Sequence, residues 1–118
     1  MVEKTNYVEN PLDCPVVSTL GLISGKWKPM LIHAMLEQPM RFGQLKKAMS
    51  PISQKVLAEQ LRELERSHIV QRHVFDGKVL NVTYSLTGYG KSLGPVLDAL
   101  HVWGEKNVPY CEAAIHQC

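Results

Sequence analysis

A chain of 118 residues has room for one domain, and 45% hydrophobic against 20% charged residues is the balance of a globular protein, which excludes wholesale disorder. Residues 1–13 are polar and carry both charge signs, and no apolar run approaches the ~20 residues that cross a bilayer, so neither a signal peptide nor a membrane span is expected and the chain reads as cytoplasmic. The net charge of +2 hides an uneven distribution: residues 41–80 carry eight basic and four acidic side chains, while the segments on either side each carry one more acidic than basic. Positive charge concentrated in one stretch marks either a polyanion-binding module or a solvated surface face.

In chain order, residues 1–12 read as an arm. Val16, Val17, Leu20 and Ile23 then recur at helical spacing behind Pro15, which is tolerated at a first helical position, and Gly25 breaks the run. A second helix is expected over 27–36, with Trp27, Leu31, Ala34 and Met35 inward and Pro29 in its first turn. After the break at Glu37-Gln38-Pro39, a short third helix is expected from Arg41 to Ala48, carrying Phe42, Leu45 and, just past its end, Met49. Ser50-Pro51-Ile52 is a tight connection to the clearest helix of the chain, 53–66, with Ser53 as N-cap and Val56, Leu57, Leu61 and Leu64 on one stripe. Beyond Ser67 the period shortens: Ile69, Val70, Val74 and Phe75, then Val79, Val82, Tyr84 and Leu86, predict two short strands about an Asp76-Gly77-Lys78 hairpin turn. Thr87 is expected to cap a last helix with the stripe Leu93, Val96, Leu97, Leu100 and Trp103, kinked or restarted at Pro95. The domain is thus expected over 13–106, followed by a tail over 107–118.

A short helix, a tight turn and a longer amphipathic helix make a helix-turn-helix, and the hairpin directly after it is a wing. The expected fold is mainly α with a two-stranded β wing, a winged helix-turn-helix. Such readers place the N-terminal part of the second helix in the major groove of double-stranded DNA. With Leu57, Leu61 and Leu64 buried, the opposite side of that helix presents Gln54, Lys55, Ala58 and Arg62, with Ser53 at the tip. Gln, Lys and Arg pair with base edges, Ser suits phosphates, and Ala allows close approach to a thymine methyl. Arg41 is also expected to bind DNA, and on the wing Arg72, His73 and Lys78 are placed to grip phosphates.

The stretch from Cys14 to Trp103 resembles the HxlR-type family of bacterial winged-helix regulators. The matching residues are Cys14-Pro15-Val16, Leu20, Gly25-Lys26-Trp27-Lys28, Arg41-Phe42, Ile52-Ser53-Gln54-Lys55-Val56-Leu57, Gln60-Leu61-Arg62-Glu63-Leu64-Glu65, Tyr84-Ser85-Leu86-Thr87 and Trp103-Gly104. The wing departs from the family, reading Phe75-Asp76-Gly77-Lys78-Val79-Leu80-Asn81 where a more proline-rich turn is common. The resemblance implies a homodimer built through the first and last helices, bound to a palindromic operator as a transcriptional regulator, with repression the expected mode.

Three cysteines, an odd number without a secretory signal, predict free thiols rather than a disulfide framework. Cys14 precedes Pro15 and is a candidate N-cap, where a thiol faces the positive end of the helix dipole; it reads either as a reactive group or as a small residue without chemistry. The resemblance implies a thiol sensor at Cys14, modified by an electrophile or oxidant, with Cys111 or Cys118 as a possible disulfide partner. His101 and His116 near these tail cysteines lack the paired spacing of a zinc site, and no metal or cofactor is expected. No phosphate loop or hydrolase motif is present, so no enzyme is expected. Two other readings stay open: a regulator answering a small ligand held between the first and last helices, and a winged-helix module that docks proteins.

Overall fold

The computed structural model describes residues 13–77 and 80–117, with side chains defined for 13–75 and 81–108. Its elements are α1 (Pro15–Ile23), α2 (Lys28–Ala34), β1 (Met40–Arg41), α3 (Phe42–Ala48), α4 (Gln54–Arg66), β2 (Val70–Asp76), β3 (Leu80–Leu86), α5 (Gly88–Lys91) and α6 (Gly94–Gln117). Helix starts follow local chemistry. Pro15 and Pro29 lie in first turns, where a missing N–H costs nothing. The Arg41 N–H donates to Gln44 Oε1 at 2.8 Å to open α3, and Ser53 Oγ accepts from the Val56 N–H at 3.1 Å to open α4.

The end of α4 fixes where the wing begins. The Ile69 N–H donates to the Leu64 carbonyl and the His68 N–H to the Glu65 carbonyl, both at 3.0 Å, with His68 left-handed at φ 63°. This is a Schellman turn carrying histidine where glycine is usual, and the fully buried Leu64 and Ile69 supply its apolar contact. From there β2 pairs antiparallel with β3, Val70 opposite Leu86 and Arg72 opposite Tyr84.

One core gathers Leu31, Ile32 and Met35 from α2 and its end, Leu45 and Met49 from α3 and its end, Leu57, Leu61 and Leu64 from α4, and Ile23, Ile52, Ile69, Val70, Leu86 and Leu97 around them. One expectation is corrected and others gain detail. The wing sheet has three strands, ordered β1-β3-β2, because β1 adds Met40 and Arg41 opposite Tyr84 and Thr83; two residues are too few to show alternation in a sequence. Thr87 caps only the single turn of α5, and the long helix restarts at Gly94, with Pro95 in its first turn. Of the last helix's apolar stripe only Leu97 is buried, leaving Val96, Leu100 and Trp103 exposed, as are Val16, Val17 and Leu20 on α1. The segment expected as a tail from 107 continues α6 as helical backbone through Gln117.

Thr87 ties these parts together. Its hydroxyl donates to the His68 carbonyl at 2.6 Å, and its oxygen accepts the Gly90 N–H at 2.9 Å. Gly90 is buried here, and a Cβ on it would collide with the backbone oxygen of Ile69. Gly90→Ala is therefore expected to destabilise by about 2–3 kcal/mol in urea unfolding, because backbone rather than a flexible side chain must move. Gly43→Ala, on α3 with open space around it, is the control and is expected to be neutral or stabilising.

Candidate nucleic-acid interface

The helix-turn-helix is α3 and α4, and the orientation of α4 is set from below by Leu57, Leu61 and Leu64, exposed by 0%, 1% and 0%. Burial of that stripe turns Ser53, Gln54, Lys55 and Arg62 outward, with Ala58 half-buried among them. The structure thus brings together on one face all five residues assigned to it. The Ser53 oxygen is occupied as the cap of α4, which leaves its O–H free to donate. From the side, Lys28 Nζ of α2 holds Glu63 Oε1 at 2.6 Å. That hydrogen bond and charge hold the Glu63 carboxyl below the usual carboxylate range. Glu59 forms no ion pair with Arg62 among the described residues, so Arg62 is not tied down along its own helix.

The wing stands beside this face. Arg72 on β2 lies opposite Tyr84 on β3, and its Nε is 3.7 Å from Glu65 Oε2 of α4. Ala58, Leu61, Arg62, Glu65, Arg72 and Tyr84 line a cleft of about 320 Å³ between helix and wing. Burial pushes the Tyr84 phenol up, opposed by the neighbouring positive charge of Arg72. Strand alternation puts His73 on the other face of the sheet from Arg72. Arg41 is exposed at the start of α3, and its backbone pairs with Thr83 at the wing's base. Lys78 lies outside the described residues.

Sequence reasoning missed Tyr84 and Glu65 as neighbours of Arg62 and Arg72, and it missed the exposure of Phe75. Phe75 is 68% exposed near the hairpin tip, with its ring close over Gly77. The Asp-Gly turn announces the hairpin but not this register, because 72 faces 84 only when Asp76 is itself paired, opposite Leu80.

Cys14 is a free, half-buried thiol in the N-cap position of α1, and its side chain makes no capping hydrogen bond. The backbone at Cys111 belongs to α6, but its side chain, like all of Cys118, lies outside what is described. Among the described residues no three His, Cys, Asp or Glu side chains gather as a metal site, and no helix is long and apolar enough to cross a membrane.

Comparison with known proteins gives a consistent neighbourhood. A model of the HxlR-like helix-turn-helix family matches residues 22–112. The HTH-type transcriptional regulator YybR of Bacillus subtilis is 41% identical over 107 residues, which span 91% of this chain and 86% of the relative. Among solved structures, the redox regulator HypR in its reduced form superposes with a TM-score of 0.80 at 39% identity, covering 85% of this chain and 99% of that one. The regulator YodB of Bacillus subtilis with quinone bound superposes with a TM-score of 0.68 at 34% identity, covering 79% and 99%.

The clamp on α4 has a pH signature. A carboxyl held below its ordinary value contributes stability that is present above that value, 4.5, and is lost as the pH falls through the lowered one. Wild type is expected to be more stable than Glu63→Gln at pH 7 and to lose that advantage on acidification below about pH 4.5. Thermal unfolding of both proteins from pH 7 to 3 measures the convergence.

Proposed function

Because the chain belongs to the HxlR-like helix-turn-helix family of transcriptional regulators, we propose that it acts as a cytoplasmic homodimer that represses from a two-fold-symmetric operator and releases it when Cys14 is modified. The observation that carries this reading is the free face of α4, where Gln54 and Lys55 stand exposed beside Ala58 on a helix locked by its leucine stripe. The N-terminal half of α4 enters the major groove, where Gln54 reads an adenine edge, Lys55 a guanine edge and Ala58 a thymine methyl. Ser53, Arg41, Arg72 and Lys78 contact phosphates and set the register.

The dimer forms through α1 and α6. Val16, Val17, Leu20, Val96, Leu100 and Trp103 are exposed on these two helices, an apolar extent that marks a contact surface. A groove of about 340 Å³ between the helices, lined by Val16, Leu20, Val96 and Leu100, gives an apolar side chain of the second subunit a seat. Two copies of α4 then stand one DNA turn apart, ~34 Å.

The switch is a thiol reaction. HypR is named a redox regulator, and YodB has been solved with quinone bound. Cys14 adds to a quinone by forming a bond from Sγ to a ring carbon, while the thiol proton passes to a quinone oxygen. With a peroxide as two-electron oxidant, Cys14 and Cys111 or Cys118 of the second subunit lose two protons and two electrons and form a disulfide. Either product adds bulk or a cross-link where α1 meets the subunit seam.

A second reading is favoured by one cavity. About 470 Å³ between α2 and α6 is lined by Met30, His33, Leu97, Leu100 and His101, and the two imidazoles stack with centroids 5.9 Å apart. In that reading the signal is a small ligand and Cys14 is inert.

The test is fluorescence anisotropy on DNA that the wild type selects from a randomised duplex library, before and after benzoquinone. Gln54→Ala with Lys55→Ala is expected to lose at least about tenfold in preference for the selected sequence. Cys14→Ser is expected to bind as wild type and to ignore the quinone; an unchanged quinone response in that variant favours the ligand reading. Failure of the wild type to select any sequence favours the protein-docking module. Leu20→Asp is expected to sediment as a monomer where the wild type sediments as a dimer.

A further inference from the structure

When α4 lies in the major groove and the wing stands beside it, the sugar-phosphate ridge that separates that groove from the next must pass between helix and hairpin. The space between them is the cleft lined by Arg62, Glu65, Arg72 and Tyr84. Two guanidiniums reach it from different elements, Arg62 from α4 and Arg72 from β2, and Tyr84 brings a hydroxyl from β3. Three donor groups converging on one notch match the acceptor oxygens of a phosphate. Arg62 stands two turns along α4 from Gln54, away from the N-terminal end that reads base edges.

Glu65 occupies one side of the same notch. Its carboxylate is 3.7 Å from Arg72 Nε, a loose pair between partly exposed side chains of 51% and 33% relative exposure. Such a pair in water contributes little and exchanges readily for another anion. A phosphate dianion or diester offers more acceptor oxygens than this carboxylate presents at that distance.

We propose that this cleft is the seat of a single DNA phosphate, clasped by Arg62 and Arg72 together, with Tyr84 donating its O–H and Glu65 holding Arg72 in the free protein. The assignment rests on the DNA-binding reading above and moves Arg62 from base readout to backbone contact. Arg62 then supplies affinity without sequence information, and Glu65 subtracts from it on every sequence alike.

Shared occupancy gives a distinctive salt signature. One neutralised phosphate contributes ~0.9 to the slope of log affinity against log salt. Anisotropy with the full-length protein on the selected duplex, and on duplexes changed one base pair at a time, is measured from 50 to 300 mM salt. Arg62→Ala and Arg72→Ala are each expected to weaken binding about tenfold on all duplexes alike, leaving the base preferences of the wild type intact. The double variant is expected to lose about one unit of slope in total rather than two. Glu65→Gln is expected to strengthen binding several-fold on every duplex. Arg72→Lys and the melting temperature of each variant separate loss of contact from loss of fold, and Arg62→Ala, on an exposed helical position, carries the test if the wing variant unfolds.

A changed preference at one base pair in Arg62→Ala would overturn the proposal by returning Arg62 to base readout. A slope loss near two in the double variant would overturn it by showing two separate phosphates. Weaker binding by Glu65→Gln would overturn the exchange. Absence of any selected sequence for the wild type would instead overturn the proposed function, and the cleft's role with it.

Discussion

The orientation of the candidate nucleic-acid interface depends on the burial of Leu57, Leu61 and Leu64. A helix has one degree of rotational freedom about its axis, and three fully buried leucines at spacings of four and three remove it. Each buried leucine stabilises by roughly 1.5–3 kcal/mol, so turning α4 by one residue, about 100°, forfeits several kcal/mol and drives polar groups into the core. The same burial that stabilises the domain therefore aims Gln54, Lys55 and Ala58 outward. The Lys28–Glu63 pair clasps the helix from the side, but it is partly exposed, and a pair of that kind trims the orientation rather than deciding it.

The wing is placed by short-range constraints acting in series. Helix α4 ends in a Schellman turn at His68, Ile69 leaves that turn fully buried, and the antiparallel ladder then fixes which residue of β3 faces which of β2. Thr87 closes the circuit by bonding the His68 carbonyl and capping α5 at the far end of β3. Arg72 and Tyr84 consequently meet Arg62 and Glu65 because their backbones are fixed, and the 3.7 Å pair across the cleft is a result of that geometry rather than its cause.

What the sequence allowed to be read follows from the range of each signal. Helix α4 and the hairpin were legible because a stripe at 3.6-residue spacing over thirteen residues, and an Asp-Gly turn between alternating strands, are both local. β1 was not, since its two residues become a strand only by pairing with Tyr84 and Thr83 some forty positions later. The cleft was hidden for the same reason: Arg62 and Glu65 meet Arg72 and Tyr84 only through the tertiary fold. The stripes on α1 and α6 were legible as stripes but not as to what they face. Hydrophobic periodicity reports that a surface avoids water, and it does not say whether its own chain or another copy covers it. Of those stripes Ile23 and Leu97 are buried within the chain and Leu93 packs partly against its core, while the rest stand exposed.

That distinction bears on how a signal at α1 could reach α4. Between them lie α6, which packs on α2, and α2 itself, whose Leu31 and Ile32 are fully buried and whose Lys28 holds Glu63. A core packed to this degree is not continuously deformable, so a modification at Cys14 has little scope to bend the domain from inside. In the proposed homodimer the compliant element is the exposed apolar seam of α1 and α6, where side chains would slide past a second copy without opening a core. A rigid-body rotation about that seam would leave each α4 face intact and change only the spacing between the two faces of the proposed dimer. Because the half-sites of a two-fold operator would stand a fixed helical turn apart, spacing is the one variable the proposed dimer would lose without unfolding anything.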